Sequence, residues 1–354
     1  MNSTATPADL LEGITLPSGW EIVEKQKRPK GSTGGNFGTG YIAKRQGETA
    51  FLKAIDFRRA FQDTNFIEVL NTLTSHVIWE KEVLAFCKDT SMSRVVRLID
   101  YEDIILPQDG DDQTKKVCCF LFEVGEGDLR NDFGAAGSKH SWKLRALRDV
   151  ALALDQLHRR GVAHLDVKPS NVIVVNSSPV NGLSKLGDLA RSVRRGVAGP
   201  FDAMDWPGDW SYSPPEKWYS FKAPQWRDER EAADLYLLGS IFVYLYTGVP
   251  LNPLLLGELP EPFRPGIYRG NFDQNLVDVL KQAQARTLAL HVFPELPSKN
   301  REELESMLFE MTAPHPEERG DKICQQRGNA GMDRYHQKLY RIYKRNELVE
   351  RLRQ

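Results

Sequence analysis

The chain has 354 residues, enough for one large domain or for two lobes with separate cores. Hydrophobic residues make up 41% and charged residues 27%, and the formal net charge is -1. This composition excludes a disordered polyelectrolyte and gives no global pull toward nucleic acid or anionic membrane, so neither is expected as a partner.

Met1 to Gly13 lacks the basic, apolar and small-residue regions of a signal peptide, and the polar stretch 1–17 is expected to be a loose leader. From Trp20 to Asp56 short apolar runs (Trp20–Val23, Tyr41–Ala43, Ala50–Ile55) alternate with Gly-rich breaks, which predicts a small antiparallel sheet. Phe57 to Lys88 has helical periodicity, with Phe66, Val69, Leu70, Leu73, Val77, Val83 and Leu84 on the pattern. Strand-like runs return at Arg94–Leu106 and Lys116–Val124, around a polar loop from Gln108 to Lys115. After Gly127 helices dominate: Trp142–Arg160, Asp234–Tyr246, Phe272–Ala289, Glu302–Met311 and Asp333–Leu352. A strand-rich third followed by a helix-rich remainder predicts an α+β protein in two lobes. The apolar run Leu235–Tyr246 is too short to cross a bilayer and reads as a buried helix of a soluble protein. Cys87, Cys118, Cys119 and Cys324 form no CxxC pair or Cys/His cluster, the pattern of reduced thiols in a cytoplasmic protein.

The stretch that carries chemistry is His164-Leu165-Asp166-Val167-Lys168-Pro169-Ser170-Asn171, followed by the apolar run Val172–Val175. An acid and a carboxamide five residues apart on a loop before a strand can face one cavity. The carboxylate of Asp166 can orient a hydroxyl and accept its proton, and the amide oxygen of Asn171 can take a metal. Asp188, in Lys185-Leu186-Gly187-Asp188-Leu189-Ala190, adds a second carboxylate after a short strand pattern. Mg2+ prefers such oxygen donors, one or two carboxylates being completed by phosphate oxygens.

These segments resemble the catalytic loop and the D-F-G element of protein kinases. Upstream, Thr33 to Gly40 is similar to the family's phosphate-covering loop, and the resemblance puts Gly34, Gly35, Phe37 and Gly38 against the nucleotide, although Gly-rich turns are common. Lys53 stands where the family's strand lysine holds the α- and β-phosphates; a lone strand lysine is otherwise a solvated charge. Its glutamate partner is Glu80 or Glu82, and the family spacing favours Glu80. Phe120–Phe122 with Glu123 and Gly125 resembles the adenine hinge, with Phe122 as gatekeeper, and Asp128 falls at a ribose contact or caps the next helix. Glu216, Asp234 and Arg319 match the peptide-side residues of protein kinases, which small-molecule kinases generally lack. The resemblance implies a buried Glu216–Arg319 pair and an Asp234 contact to the catalytic-loop backbone.

The resemblance runs from about Trp20 to Met332 and implies an N-lobe over 18–125, a C-lobe over 126–332, and an appended basic helix over 333–354. It further implies ATP with Mg2+, or Mn2+ in its place, and transfer of the γ-phosphoryl group to serine or threonine of protein substrates, with Asp166, Lys168, Lys53 and Glu80 as the catalytic set and Asn171 and Asp188 as metal ligands. The H-L-D and D-L sequences also occur in Wee kinases and leave tyrosine or dual specificity open. The rival reading is a pseudokinase, a nucleotide-binding switch or scaffold, suggested by departures in the roof of the nucleotide pocket. Gly40 replaces a usual valine, and Phe51 replaces a usual alanine at a position that touches adenine. Either the two swaps compensate, or Phe51 belongs to the core of the small lobe. Other departures are Leu165 in place of an arginine that holds an activation-segment phosphate, Asp209 in place of a threonine, where it could pair with Lys168, and Ala190 in place of a glycine. The helix 333–354 either docks on the large lobe or offers a face to a partner or regulator.

Overall fold

The computed structural model describes residues 5–27, 38–106, 115–130, 139–176 and 182–352. The chain forms two compact units, Met1–Ser91 with Val95–Glu126, and Met92–Arg94 with Gly127–Gln354. Gly34, Gly35 and Phe37, and the polar loop up to residue 114, lie outside the described residues.

The first unit is built on five antiparallel strands, β1 Glu21–Lys25, β2 Thr39–Arg45, β3 Glu48–Asp56, β4 Leu98–Ile105 and β5 Lys116–Glu123, in the order β1-β2-β3-β5-β4. Side chains alternate across a strand, so the register decides which residues share a face. Gly40 lies opposite Lys53 and Ile42 opposite Phe51, while Tyr41, Ala43, Ala50, Leu52 and Ala54 turn to the other side and are fully buried. The predicted helix after β3 divides in two. A single turn, Arg58–Phe61, precedes a 24-residue helix, Phe66–Asp89, because Asp63 accepts the Asn65 N–H in a local turn and interrupts the ladder.

The expectation of a loose leader is corrected over residues 5–17. Ala8, Leu11 and Leu16 pack with Trp20 onto Ile22, Tyr41, Leu52, Val117, Cys119 and Leu121 and complete the core on that side of the sheet. The backbone is pinned as well: the Tyr41 hydroxyl donates to Ala8 O at 2.7 Å, and Ile22 N donates to Ile14 O at 2.9 Å. Polar composition hid three buried apolar residues, Ala8, Leu11 and Leu16, whose partners arrive only from later strands.

In the second unit the helices His140–His158 and Ala232–Thr247 form the interior, the latter buried on nearly all sides. Two short strands, β6 Gly127–Asp128 and β7 Val162–Ala163, precede the hairpin of β8 Val172–Asn176 and β9 Leu183–Leu186. β6 joins that hairpin at β8, and β10 Val193–Arg194 pairs with β7. The C-terminal helix Met332–Leu352 docks on His140–His158 through Tyr335, Leu339, Ile342 and Tyr343, all buried, and the Tyr335 hydroxyl donates to Glu310. No single helix among the described residues is long and apolar enough to cross a membrane.

If residues 5–17 are core rather than leader, Leu11→Ala should lower the unfolding free energy by about 2–5 kcal/mol, the usual range for a buried leucine. Urea denaturation of the full chain measures this, and a change below about 0.5 kcal/mol would be that of an exposed side chain.

Candidate active site

In the first unit, Lys53 Nζ lies 2.7 Å from Glu80 Oε1. Of the two glutamates, Glu80 is 3% exposed and meets the lysine, while Glu82 faces solvent. The helix Phe66–Asp89 presents Glu80 with Leu73, Val77, Val83 and Leu84 on its buried side, so the ion pair ties helix to sheet. Lys53 shares its sheet face with Phe51 and, across β5, with Phe120 and Phe122. Phe51 is therefore on the face opposite the strap-covered core. A Cβ added at Gly40 would sit 2.9 Å from Phe51 Cζ and 3.0 Å from Cε2, so the ring occupies the space that a branched side chain at position 40 would need. Gly38 is equally confined: a Cβ there would lie 3.1 Å from both Lys53 Cγ and Ala54 O. At the end of β5, Glu123 accepts from Arg97 N through its side chain and donates to Arg97 O through its backbone. Gly125 follows in the segment that leaves this unit.

In the second unit, one loop holds the chemistry. Asp166 is 7% exposed and accepts from three groups: Lys168 Nζ at 3.1 Å, Asn171 Nδ2 at 3.0 Å and Asp209 N at 2.9 Å on its carboxylate, with Asn171 Nδ2 also 2.8 Å from its carbonyl. Burial pushes the Asp166 carboxyl above the ordinary aspartate range, Lys168 and His164 oppose that shift, and the charge of Asp188 adds to it. Asn171 spends its amide hydrogens on Asp166, and its carbonyl oxygen, 3.4 Å from the Ser170 hydroxyl, keeps a lone pair for a further ligand. Its backbone carbonyl takes Gly187 N at 2.8 Å and so fixes Asp188 beside the loop. Asp188 is exposed and left-handed, with φ 55°. Among the described residues no three His, Cys, Asp or Glu side chains could hold a metal by themselves. The Asn171 and Asp188 oxygens fit a hard cation whose shell is completed by phosphate.

Behind the loop, Asp234 is fully buried and accepts from His164 N at 2.8 Å, from Leu165 N at 2.7 Å, and from His158 Nε2 at 2.8 Å. Burial alone would lower the His158 pKa, but the Asp234 carboxylate outweighs it and holds the imidazole above its ordinary value. Nothing in the sequence pattern singled out His158, a polar residue in the last turn of an amphipathic helix. The Glu216–Arg319 pair is present, bidentate at 2.8 and 3.0 Å and shut off from solvent. Asp209 Oδ2 lies 3.5 Å from Lys168 Nζ, and Gly208 abuts the Leu165 carbonyl with no room for a side chain. Asp128 stands directly before the helical residues Leu129 and Arg130, in the position of an N-cap. Its carboxylate is held by Arg130 at 2.7 Å and accepts the Arg130 N–H.

The family model described as the protein kinase domain matches residues 31–320. The chain belongs to the protein kinase family. Among curated proteins it is 25% identical over 207 residues to a probable cyclin-dependent kinase 8 of Dictyostelium discoideum, an alignment covering 56% of this chain and 49% of that one. It is 31% identical to a Wee1-like protein kinase of Arabidopsis thaliana over 34% of this chain and 22% of that one. It is also 37% identical to the serine/threonine-protein kinase ArnS of Sulfolobus acidocaldarius over 20% of this chain and 12% of that one. The chain spans about half or less of the length of these relatives.

The kinase segment that runs from Asp188 to Glu216 has a property that motif reading passed over. No Ser, Thr or Tyr occurs from Val193 through Trp210. Ser192, just before, is fully buried and donates to Leu189 O. The segment is held by other means: Arg191 stacks on Phe201 at 5.2 Å, Arg230 donates to Asp202 O, Lys222 pairs with Asp205 at 2.7 Å, and Trp206 is buried and donates to Asp209 O.

The contact between positions 40 and 51 makes a sharp expectation. Gly40→Val should overpack the sheet face by about 1–3 kcal/mol. Adding Phe51→Ala should recover part of the loss, with a coupling of about 0.5–3 kcal/mol. A double-mutant cycle on unfolding free energy reads it, and strictly additive losses would mean that the side chains do not meet.

Proposed function

We propose that this kinase transfers the γ-phosphoryl group of ATP, with Mg2+, to serine or threonine hydroxyls of other proteins. The observation that carries the reading is the Asp166 carboxylate, held at once by Lys168, Asn171 and the Asp209 N–H, with Asp188 fixed next to it. Asp166 orients the acceptor hydroxyl and takes its proton as the new O–P bond forms and ADP leaves. Lys168 balances charge at that point, and Lys53, aligned by Glu80, holds the non-transferred phosphates. Asn171 and Asp188 would hold Mg2+, which supplies neutralisation of phosphate charge. Lys168 beside the catalytic carboxylate supports serine or threonine as acceptor.

The pseudokinase reading rested on departures in the roof of the pocket. The fit of Phe51 into the space left by Gly40 supports a matched pair there rather than decay.

Asp166→Asn should lower phosphoryl transfer to a generic protein acceptor by roughly 10²–10⁴-fold while Mg2+-ATP binding persists. Because the Asp166 carboxyl is held above its usual range, the acid limb of kcat should lie above about pH 3.9, where an ordinary aspartate titrates. Lys168→Ala, which removes an opposing charge, should move that limb higher still. Radiolabel transfer across a pH series, with phosphoamino-acid analysis, tests all of this. Full activity in Asp166→Asn would defeat the proposal, and phosphotyrosine as sole product would defeat its specificity.

A second expectation follows from the hydroxyl-free stretch Val193–Trp210 and from Leu165. Phosphatase treatment should leave activity within about twofold, since no phosphate at Val193–Trp210 can be lost. A large loss restored by incubation with ATP would place a controlling phosphate elsewhere in the chain.

A further inference from the structure

The family match begins at residue 31, yet the segment before it is bonded to the ends of β1 and β2, next to Gly38 and Gly40. The turn Pro7–Asp9 lies on the outer face of the sheet, and the Asp9 carboxylate accepts four hydrogen bonds there. Lys25 Nζ, at the end of β1, donates at 2.7 Å, and Thr39 Oγ1, at the start of β2, donates at 3.0 Å to the same oxygen. The second oxygen accepts Thr6 N and Thr6 Oγ1, both at 3.0 Å. Partial burial would raise the Asp9 pKa, but these donors together hold it well below the carboxylate range, as expected of an ion that stays charged and bonded.

Thr39 is 8% exposed and lies opposite Ala54, on the face that the N-terminal strap covers. Its neighbours Gly38 and Gly40 lie against the other face. Gly38 backs onto Lys53 Cγ, and Gly40 onto the Phe51 ring. A strand transmits position across its own thickness, because successive side chains are anchored on opposite sides of one backbone. Gripping Thr39 from outside therefore fixes the depth at which the glycine edge stands over Lys53 and Phe51. Gripping Lys25 as well ties together the ends of the two strands between which residues 26–38 run.

We propose that Asp9 is a positioning residue for nucleotide binding: through Thr39 and Lys25 it sets the glycine edge Gly38–Gly40 against the Lys53 and Phe51 face. This rests on reading that face as the nucleotide side. Asp9 touches no nucleotide itself. The hydrophobic anchors of the strap, Leu11 and Leu16, hold the segment in place, whereas Asp9 places the strand.

That division makes the two roles separable by calorimetric titration of the full chain with Mg2+-ATP, below the melting temperature of every variant. Asp9→Ala and Thr39→Val should each raise Kd about 3- to 10-fold, the factor carried by loss of a hydrogen bond of ordinary strength. Leu11→Ala, which weakens the same strap through its core, should lower the melting temperature yet leave Kd within about twofold, since the grip on Thr39 is intact. Unchanged Kd in Asp9→Ala, or an equal rise in Leu11→Ala, would overturn the proposal while the kinase reading stands. A wild-type chain that binds no nucleotide would overturn both.

Discussion

The catalytic loop takes its shape from one buried carboxylate. Asp234 sits at the start of a helix with no solvent contact, and an isolated charge there would be expensive. It is stabilised by two consecutive backbone N–H groups, His164 and Leu165, and by His158. Two adjacent amides can aim at one carboxylate only if the backbone turns sharply between them. Leu165 accordingly adopts φ 61°, a conformation that disfavours residues with a Cβ. Each hydrogen bond to such a charge contributes about 1.5–3 kcal/mol, enough to hold a strained residue that costs about 1–3 kcal/mol.

From that turn the rest of the loop follows. His164 Nδ1 accepts the Asp166 N–H, so its other nitrogen carries the proton and donates to Gly187 O at 3.0 Å. One imidazole thus links Asp166 to the strand end that presents Asp188. Asn171 makes the same link a second time, through Asp166 on one side and Gly187 N on the other. Asp166, Asn171 and Asp188 are held through shared partners, which is how a loop without regular structure can keep its side chains in place.

Much of this was legible in the order of residues. Asp166 and Asn171 are polar residues on a loop just before an apolar strand run, and Asp188 directly follows a second one, so each stands at a strand end where a side chain can reach a cleft. Glu216 and Arg319 are a hundred residues apart, and only the family pattern joined them. His158 and the strap at 5–17 were not legible, for opposite reasons. His158 is one polar residue whose partner lies far along the chain, so no local period reveals it. The strap has too few apolar residues to show a period, and its burial is decided by five strands that form elsewhere. The place of Phe51 was open because its burial depends on register, and a slip of one residue would have turned its ring into the core.

Leu165 and the hydroxyl-free stretch Val193–Trp210 are consistent with one another. The side chain at position 165 is fully buried. An arginine there would bring a charge into that interior, where it needs an anion or a full set of hydrogen bonds, and a buried charge left unpaired costs several kcal/mol. A phosphate on the neighbouring segment is one such anion, and Val193–Trp210 offers no residue that could carry it. With leucine at 165 the site needs no counter-charge, and the segment is free to be fixed by groups that are always present. Phe201 lies under Arg191, Asp205 pairs with Lys222, and the Asp209 N–H reaches Asp166 itself. The two changes make sense only together. An arginine would be stranded without the phosphate, and a phosphate would find no cation at 165 to hold it. In this chain residues 191–209 are held by contacts that need no phosphate.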